Sequence, residues 1–422
     1  MFVRKASLAA IGLAAILLVT TMAVGPVGAS PSTPGVTSNS ITIGFVSDLT
    51  GAAASSFFDS AGGIQARVAL QNSHGGVNGR KIKLVIRDDQ TNPINAQDAA
   101  ASLAGQVFGV VEDSSVTFGA AKTLQQAGVP VTTGNGFDGP EWGQKPYTNM
   151  FDAYPVITSY GGIDYPYDWF STFMKSVGVN KLGGLSYAPS PADQESIDDA
   201  LTVASRHGIS TCYNNKTIQF GAVDFTATAL SIKSSGCNGV IMGFQDSSDV
   251  ALAQAVKNAG ANVKVLSLGT AYDNAVLASP ANLAALQGVY ISTASVDFTP
   301  PNAATQAMLN NLKKYDSQYK GGIPDIGTWV AYIGADLMIK GLELAGKNPT
   351  RASFLANLHK VTNYNAEGFF PSSVSFSLKS FGTSAMMPRT YCDYFVQVQG
   401  NKYVTINNGK PVCGKLTPVS QS

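Results

Sequence analysis

The sequence predicts an α/β protein of two doubly wound parallel-sheet lobes. Three observations predict it. Short apolar runs recur along the chain, each is followed by a helical pattern of roughly three to four turns, and the alternation comes in two blocks, 41–133 and 157–292. Short apolar strands alternating with helices mean parallel sheets covered on both faces, with ligands held beyond the carboxyl ends of the strands.

The elements follow in order. After a Pro/Ser/Thr/Gly linker over residues 30–39, the run Ile41–Val46 reads as a strand and 55–72 as a helix. A strand is expected at 81–87, a helix at 95–106, a short buried strand at 107–111, a helix at 117–126 and a strand at 129–133. The second block opens with a helix over 157–177, then strand 181–187, helix 193–207, strand 209–218 and helix 223–234. Strand 239–244, helix 248–259 and strands 263–268 and 288–292 complete it. Strands are assigned to short apolar runs bounded by turn residues, helices to the longer stretches between them. From 302 to 359 the chain is almost wholly helical, interrupted at Gly321-Gly322 and Asn348-Pro349, and the tail is β-like at 373–377, 391–399 and 402–406.

Composition narrows the function. The 422 residues carry 28 Lys+Arg against 27 Asp+Glu, a net charge of +1, and no basic run. That removes the electrostatic footprint of a nucleic-acid binder. With 20 Phe and 16 Tyr spread along the chain, general disorder is excluded as well.

Residues 1–29 form a separate object. Arg4 and Lys5 precede an apolar stretch from Ala6 to Val24, and Val27-Gly28-Ala29 makes a small-residue cleavage site before Ser30. This is the order of a secretory signal peptide, with an N-terminal membrane anchor as the alternative. The mature protein is expected to be exported and soluble, periplasmic or extracellular.

In an oxidising compartment the four cysteines favour disulfides, with three possible connectivities. Local pairing is expected: Cys212 with Cys237, and Cys392 with Cys413. Zinc is not expected, since neither a Cys-x-x-Cys pair nor a nearby His completes a site. No cofactor is called for.

Several motifs invite chemistry. Gly134-Asn135-Gly136-Phe137-Asp138-Gly139 matches a dinucleotide fingerprint, but Pro140 to Pro146 follows where a helix must face the pyrophosphate. A ligand-facing glycine loop is the better reading. Gly184-Leu185-Ser186-Tyr187-Ala188 approaches a nucleophile elbow, which keeps a secreted serine hydrolase using Ser186 as an alternative, although only His74, His207 and His359 could serve as base. Asp113-Ser114-Ser115 precedes a helix starting near Thr117. Serine hydroxyls and free N–H groups at a helix N-terminus suit a carboxylate; simple helix capping is the other reading.

Taken together, these stretches resemble the substrate-binding proteins of ABC importers for branched-chain amino acids and amides, the type I periplasmic binding proteins. The resemblance rests on Ile43-Gly44 with Leu49-Thr50-Gly51, on Gly75-Gly76-Val77-Asn78-Gly79-Arg80-Lys81 leading to Arg87-Asp88-Asp89, and on Ala127-Gly128-Val129-Pro130. It implies two α/β lobes joined by a three-crossing hinge that closes over one small ligand. The crossings fall near 150–154, near 296–300 and after Thr362, giving one lobe from 40–152 and 299–362 and the other from 153–298 and 363–422. It further implies a non-catalytic, monomeric receptor in amino acid transport that delivers its ligand to an ABC permease, or a ligand-sensing module without a transporter.

Carried over residue by residue, the resemblance places a ligand carboxylate at Ser114 or Ser115 and the next pocket loop at Asn135, Gly136 and Phe137. The second lobe contributes Ser190, Phe244, Gln245 and Tyr272. The acid expected to hold an α-ammonium is missing at its usual loop, with Asp246 or Asp273 as substitute. A buried ammonium without a counter-charge is costly. An amide, or an aromatic or aliphatic carboxylate, therefore competes with an α-amino acid as the ligand.

Overall fold

The structure, a computed structural model, describes residues 33–136, 140–154, 163–267, 270–294, 296–381 and 383–420. The expected signal peptide and Phe137 lie outside these residues. From Thr33 onward the chain makes a compact unit carrying two large sheets.

The first sheet holds β1 (Ser40–Ser47), β2 (Lys81–Asp88), β3 (Val110–Asp113), β4 (Val131–Thr133) and β5 (Met150–Asp152), ordered β2-β1-β3-β4-β5. Every pairing in it is parallel. Ile41, Ile43 and Phe45 of β1 enter one core while Val46 enters another, the two-sided burial a parallel strand requires. Helices α1 (Ser60–Ser73), α2 (Pro93–Ala104) and α3 (Phe118–Gln126) connect these strands. Helix α2 starts ahead of the expected 95 because Asn92 caps it, accepting from Ile94 N and Asn95 N, with Pro93 in the first turn.

The second block departs from expectation at its start. Residues 157–162 of the expected helix lie outside the described chain, and β6 (Ile163–Asp164) pairs antiparallel with Val419-Ser420. Helix α4 begins only at Trp169 and runs to Ser176. Pro166 is the physical reason: within a helix it would remove a backbone donor and clash with the preceding turn. Then come β7 (Lys181–Tyr187), α5 (Pro191–Arg206), β8 (Ser210–Ile218), α6 (Thr226–Ser234), β9 (Gly239–Met242), α7 (Asp246–Asn258) and β10 (Lys264–Ser267). Two short helices, α8 (Asn274–Ala278) and α9 (Pro280–Leu286), lead to β11 (Tyr290–Ser292).

Three helices follow, α10 (Ala303–Tyr315), α11 (Ile326–Ala345) and α12 (Arg351–Leu358), and they return to the first sheet. Helix α11 is buried on almost every face, and Thr132 of β4 donates to Gly334 O at 2.8 Å. A Cβ at Gly63 of α1 would lie 2.1 Å from Thr328 O, so only glycine permits this helix approach. Arg351 fastens α12 by donating to the carbonyls of Ala104, Val107, Phe108 and Ala127, three of which close the turns after α2 and α3.

The tail stays with the first sheet beyond Thr362. Phe376 meets Phe151 edge-on at 5.4 Å, and Tyr364 OH donates to Asp336 Oδ2 at 3.0 Å. The expected strand at 373–377 is a single bridge, Tyr364 to Val374. The run 391–399 divides into β12 (Thr390–Asp393) and β13 (Phe395–Gln399), which serve different sheets. With β14 (Lys402–Thr405), β13 extends the second sheet to the order β14-β13-β11-β10-β9-β7-β8. Strand β12 pairs with β15 (Val412–Lys415), and β16 (Val419–Ser420) is the partner of β6. Both expected disulfides form, Cys212–Cys237 and Cys392–Cys413, the second between residues directly opposite in the β12–β15 ladder.

Candidate functional site

Turns that follow the carboxyl ends of strands in both sheets converge on one cleft of about 470 Å³, its open mouth included. Its apolar walls are Phe57, Tyr187, Phe220, Phe244 and Ile326, and its polar groups are Ser56, Ser115, Ser190, Asp193, Gln245 and Thr270. Phe244 is fully buried and packs between Tyr187, at 4.5 Å between ring centroids, and Phe225, at 5.9 Å. The sheets therefore supply a rigid aromatic wall and the turns supply the polar atoms.

The cleft is shut by bonds between its two sides. Ser56 Oγ, in the turn after β1, donates to Asp246 Oδ1 at 3.1 Å and accepts from Asp246 N at 3.1 Å. Ser55 Oγ reaches Ser247 Oγ at 3.3 Å. On the far side Asn274 N donates to Ile323 O at 3.0 Å and Ile323 N returns a bond to Asn274 Oδ1 at 2.9 Å.

Four of the expected residues meet in this cleft: Ser115, Ser190, Phe244 and Gln245. Ser190 also caps α5, accepting from Asp193 N. Ser114 lies behind the lining. Asn135 and Gly136 are turned to the first sheet's own structure, Gly136 N donating to Asp152 Oδ2 at 2.9 Å. Tyr272 is buried and is not among the lining residues, its hydroxyl bonded to Thr299 Oγ1 at 2.6 Å and accepting from Phe298 N. Residues not named from the sequence also line the cleft, among them Ser56, Phe57, Tyr187, Asp193 and Ile326. Their only sequence signal is position, just past a strand end or at the first turn of a long helix.

The serine pair has a partner that the sequence did not suggest. Asp48, the residue after β1, is wholly buried. Its Oδ2 accepts from Ser115 N at 2.8 Å and Ser115 Oγ at 2.5 Å, and its Oδ1 accepts from Ser114 Oγ at 3.1 Å. Asp89 stands beside it, its carboxyl pushed up to about 9 by burial and by Asp48. The next acid, Asp88, holds the Leu49-Thr50-Gly51 turn by accepting from Thr50 N and Thr50 Oγ1. A Cβ at Gly51 would come within 2.2 Å of Gln90 O. The two motifs that carried the resemblance thus lock together.

Carboxyls elsewhere around the cleft are raised. Burial lifts Asp193 to about 7 against the opposing bond from Tyr187 N, Asp273 to about 7 and Asp325 to about 6. Burial also raises Asp246, and Asp249 well above the usual range.

Ser186 is fully buried and its Oγ makes no hydrogen bond among the described residues. His207 faces Asp168 at 3.1 Å, His359 faces Phe376 O at 2.7 Å, and His74 ends helix α1. The nucleophile–base contact of a hydrolase is not formed. The described residues hold no cluster of metal-ligating side chains and no helix long and apolar enough to cross a membrane.

Comparisons with known proteins bear on the family and the fold. A family model described as periplasmic binding protein matches residues 40–402. The Leu/Ile/Val-binding protein homolog 3 of Brucella melitensis biotype 1 is 26% identical over 324 residues, 76% of this chain and 83% of that protein. Among solved structures, a fatty acid ABC transporter substrate-binding protein from Thermomonospora curvata superposes with a TM-score of 0.70 at 20% identity, covering 92% of this chain and 94% of that one. A solute-binding protein of an ABC transporter from R. palustris, in complex with benzoate, gives 0.71 at 16% identity over 90% and 98%. At these identities the structural likeness speaks to the fold.

Proposed function

From the premise that the chain belongs to the periplasmic binding protein family, we propose that it is an exported, non-catalytic solute receptor. It closes on a small ligand in the cleft between its sheets and presents that ligand to an ABC permease as a monomer. The observation that carries this reading is the aromatic-walled cleft itself, lined from both sheets and bridged by the Ser56–Asp246 bonds. Concave, mostly apolar pockets with a few placed polar groups are where small ligands bind, and hinge closure needs a ligand that interacts better with the closed state. Of the expected residues, Ser115, Ser190, Phe244 and Gln245 contact the ligand. Ser114, Asn135, Gly136 and Tyr272 support the walls.

The test is mass spectrometry of the small molecules released when the purified protein is denatured. One compound near equimolar with the protein is expected, and Phe244→Ala should carry at least tenfold less of it. Release of nothing, together with ester or peptide turnover abolished by Ser186→Ala, would replace this reading with a hydrolase.

A further inference from the structure

The donors that a ligand carboxylate would need are already used inside the protein. Ser115 directs both its N–H and its O–H to Asp48, and Ser114 directs its O–H to the same carboxylate. A carboxylate placed at Ser115 would have to displace Asp48, and would stand next to another buried acid, Asp89. An incoming carboxylate and Asp48 are like charges, and these repel more strongly away from bulk water.

The other hydroxyls of the lining follow the same pattern. Tyr187 OH donates to Gln245 Oε1 while accepting from Gln245 N. Ser56 donates to Asp246, and Thr270 donates to Phe244 O and Asp249 Oδ2. The lining keeps the Gln245 amide as a neutral donor, but its one carboxyl is Asp193 and none of its described residues is Lys, Arg or His. A lining with a carboxyl and no cationic side chain favours a cationic ligand group over an anionic one.

Resting on the receptor reading above, we infer that the ligand is an amine with an apolar body rather than a carboxylic acid, its ammonium taken by the acceptors around Asp193 and its body by Phe57, Phe220 and Phe244. Asp48 is the residue that sets this choice. It fills the carboxylate position from within.

The experiment uses matched probes on the full mature protein: benzylamine against benzoate, and 3-methylbutylamine against 3-methylbutanoate, by calorimetric titration and thermal shift. Each amine is expected to bind at least tenfold more tightly than its acid. Asp48→Asn removes the charge, keeps the shape, and should narrow that gap at least tenfold by admitting the acids. Where Asp48→Asn does not fold, Asp193→Asn serves, and should weaken the amines at least tenfold more than it weakens benzyl alcohol. Acids binding the wild type as well as amines would overturn the inference and leave the receptor reading standing. If neither probe pair binds, the molecule released on denaturation decides: an amine supports the inference, an acid overturns it, and release of nothing overturns both readings.

Discussion

Asp193 lies in the first turn of α5, and Asp273 and Asp325 cap α8 and α11, with carboxyls raised by burial to about 7, about 7 and about 6. Among the described residues Arg67–Asp336 and Lys216–Asp198 join a cation to a carboxylate, and none of the three acids takes part in such a pair. A carboxyl whose pKa is raised by folding makes the folded state bind more protons than the unfolded one. Stability is then greatest below the unfolded value near 4 and falls as pH rises through about 6 to 7. Thermal unfolding of the ligand-free protein should therefore occur at a higher temperature at pH 5 than at pH 8. A melting temperature that rises across that range would show that these acids find cations. Residue positions were partly legible in the sequence: the resemblance pointed to Ser115, Ser190, Phe244 and Gln245, and these four line one cleft. Asp48 was not legible, because its meaning depends on serines 66 and 67 positions away.

Helices and strands were more legible, since their periodicity is local, and the alternation from 40 to 133 and from 181 to 292 follows the apolar pattern closely. The misses have non-local causes. Strand β6 exists because β16, at the opposite end of the chain, pairs with it, and the split of 391–399 reflects two sheets competing for one run. At this scale Gly63→Ala tests the seam between α1 and α11. Its methyl group would meet Thr328 O, and overpacking of this kind destabilises by roughly 1–3 kcal/mol; urea unfolding measures it. The disulfides give a second test. Closing loops with sequence separations of 25 and 21 should each contribute roughly 3 kcal/mol in the chain-entropy model. Cys212→Ala with Cys237→Ala should lower the denaturant midpoint accordingly, and non-reducing peptide mapping should find both pairs and no crossed ones.

For the whole molecule, the bonds that bridge the cleft predict how readily it opens. Ser56→Ala takes from Asp246 both an acceptor for its N–H and a donor to its carboxylate. Bonds to charged groups contribute roughly 1.5–3 kcal/mol, so affinity for the co-purifying molecule should fall about tenfold or more. The unfolding temperature of the ligand-free protein should change little, because in an open form Ser56 meets water. Small-angle scattering should show the variant needing about tenfold more ligand than the wild type to reach the compact radius. The same architecture has a consequence for how the chain comes into being. All five strands of the first sheet lie within 40–152, yet α11, which covers β3 and β4, lies at 326–345, and β11 gains its outer neighbour only from 395–399. A polypeptide delivered amino end first must carry a bare apolar sheet face and an unpaired strand edge until nearly its whole length has emerged. Such edges template pairing between chains, so a chain ended between β11 and Phe395 should aggregate rather than fold into a weakened form, which sedimentation of the fragment would show.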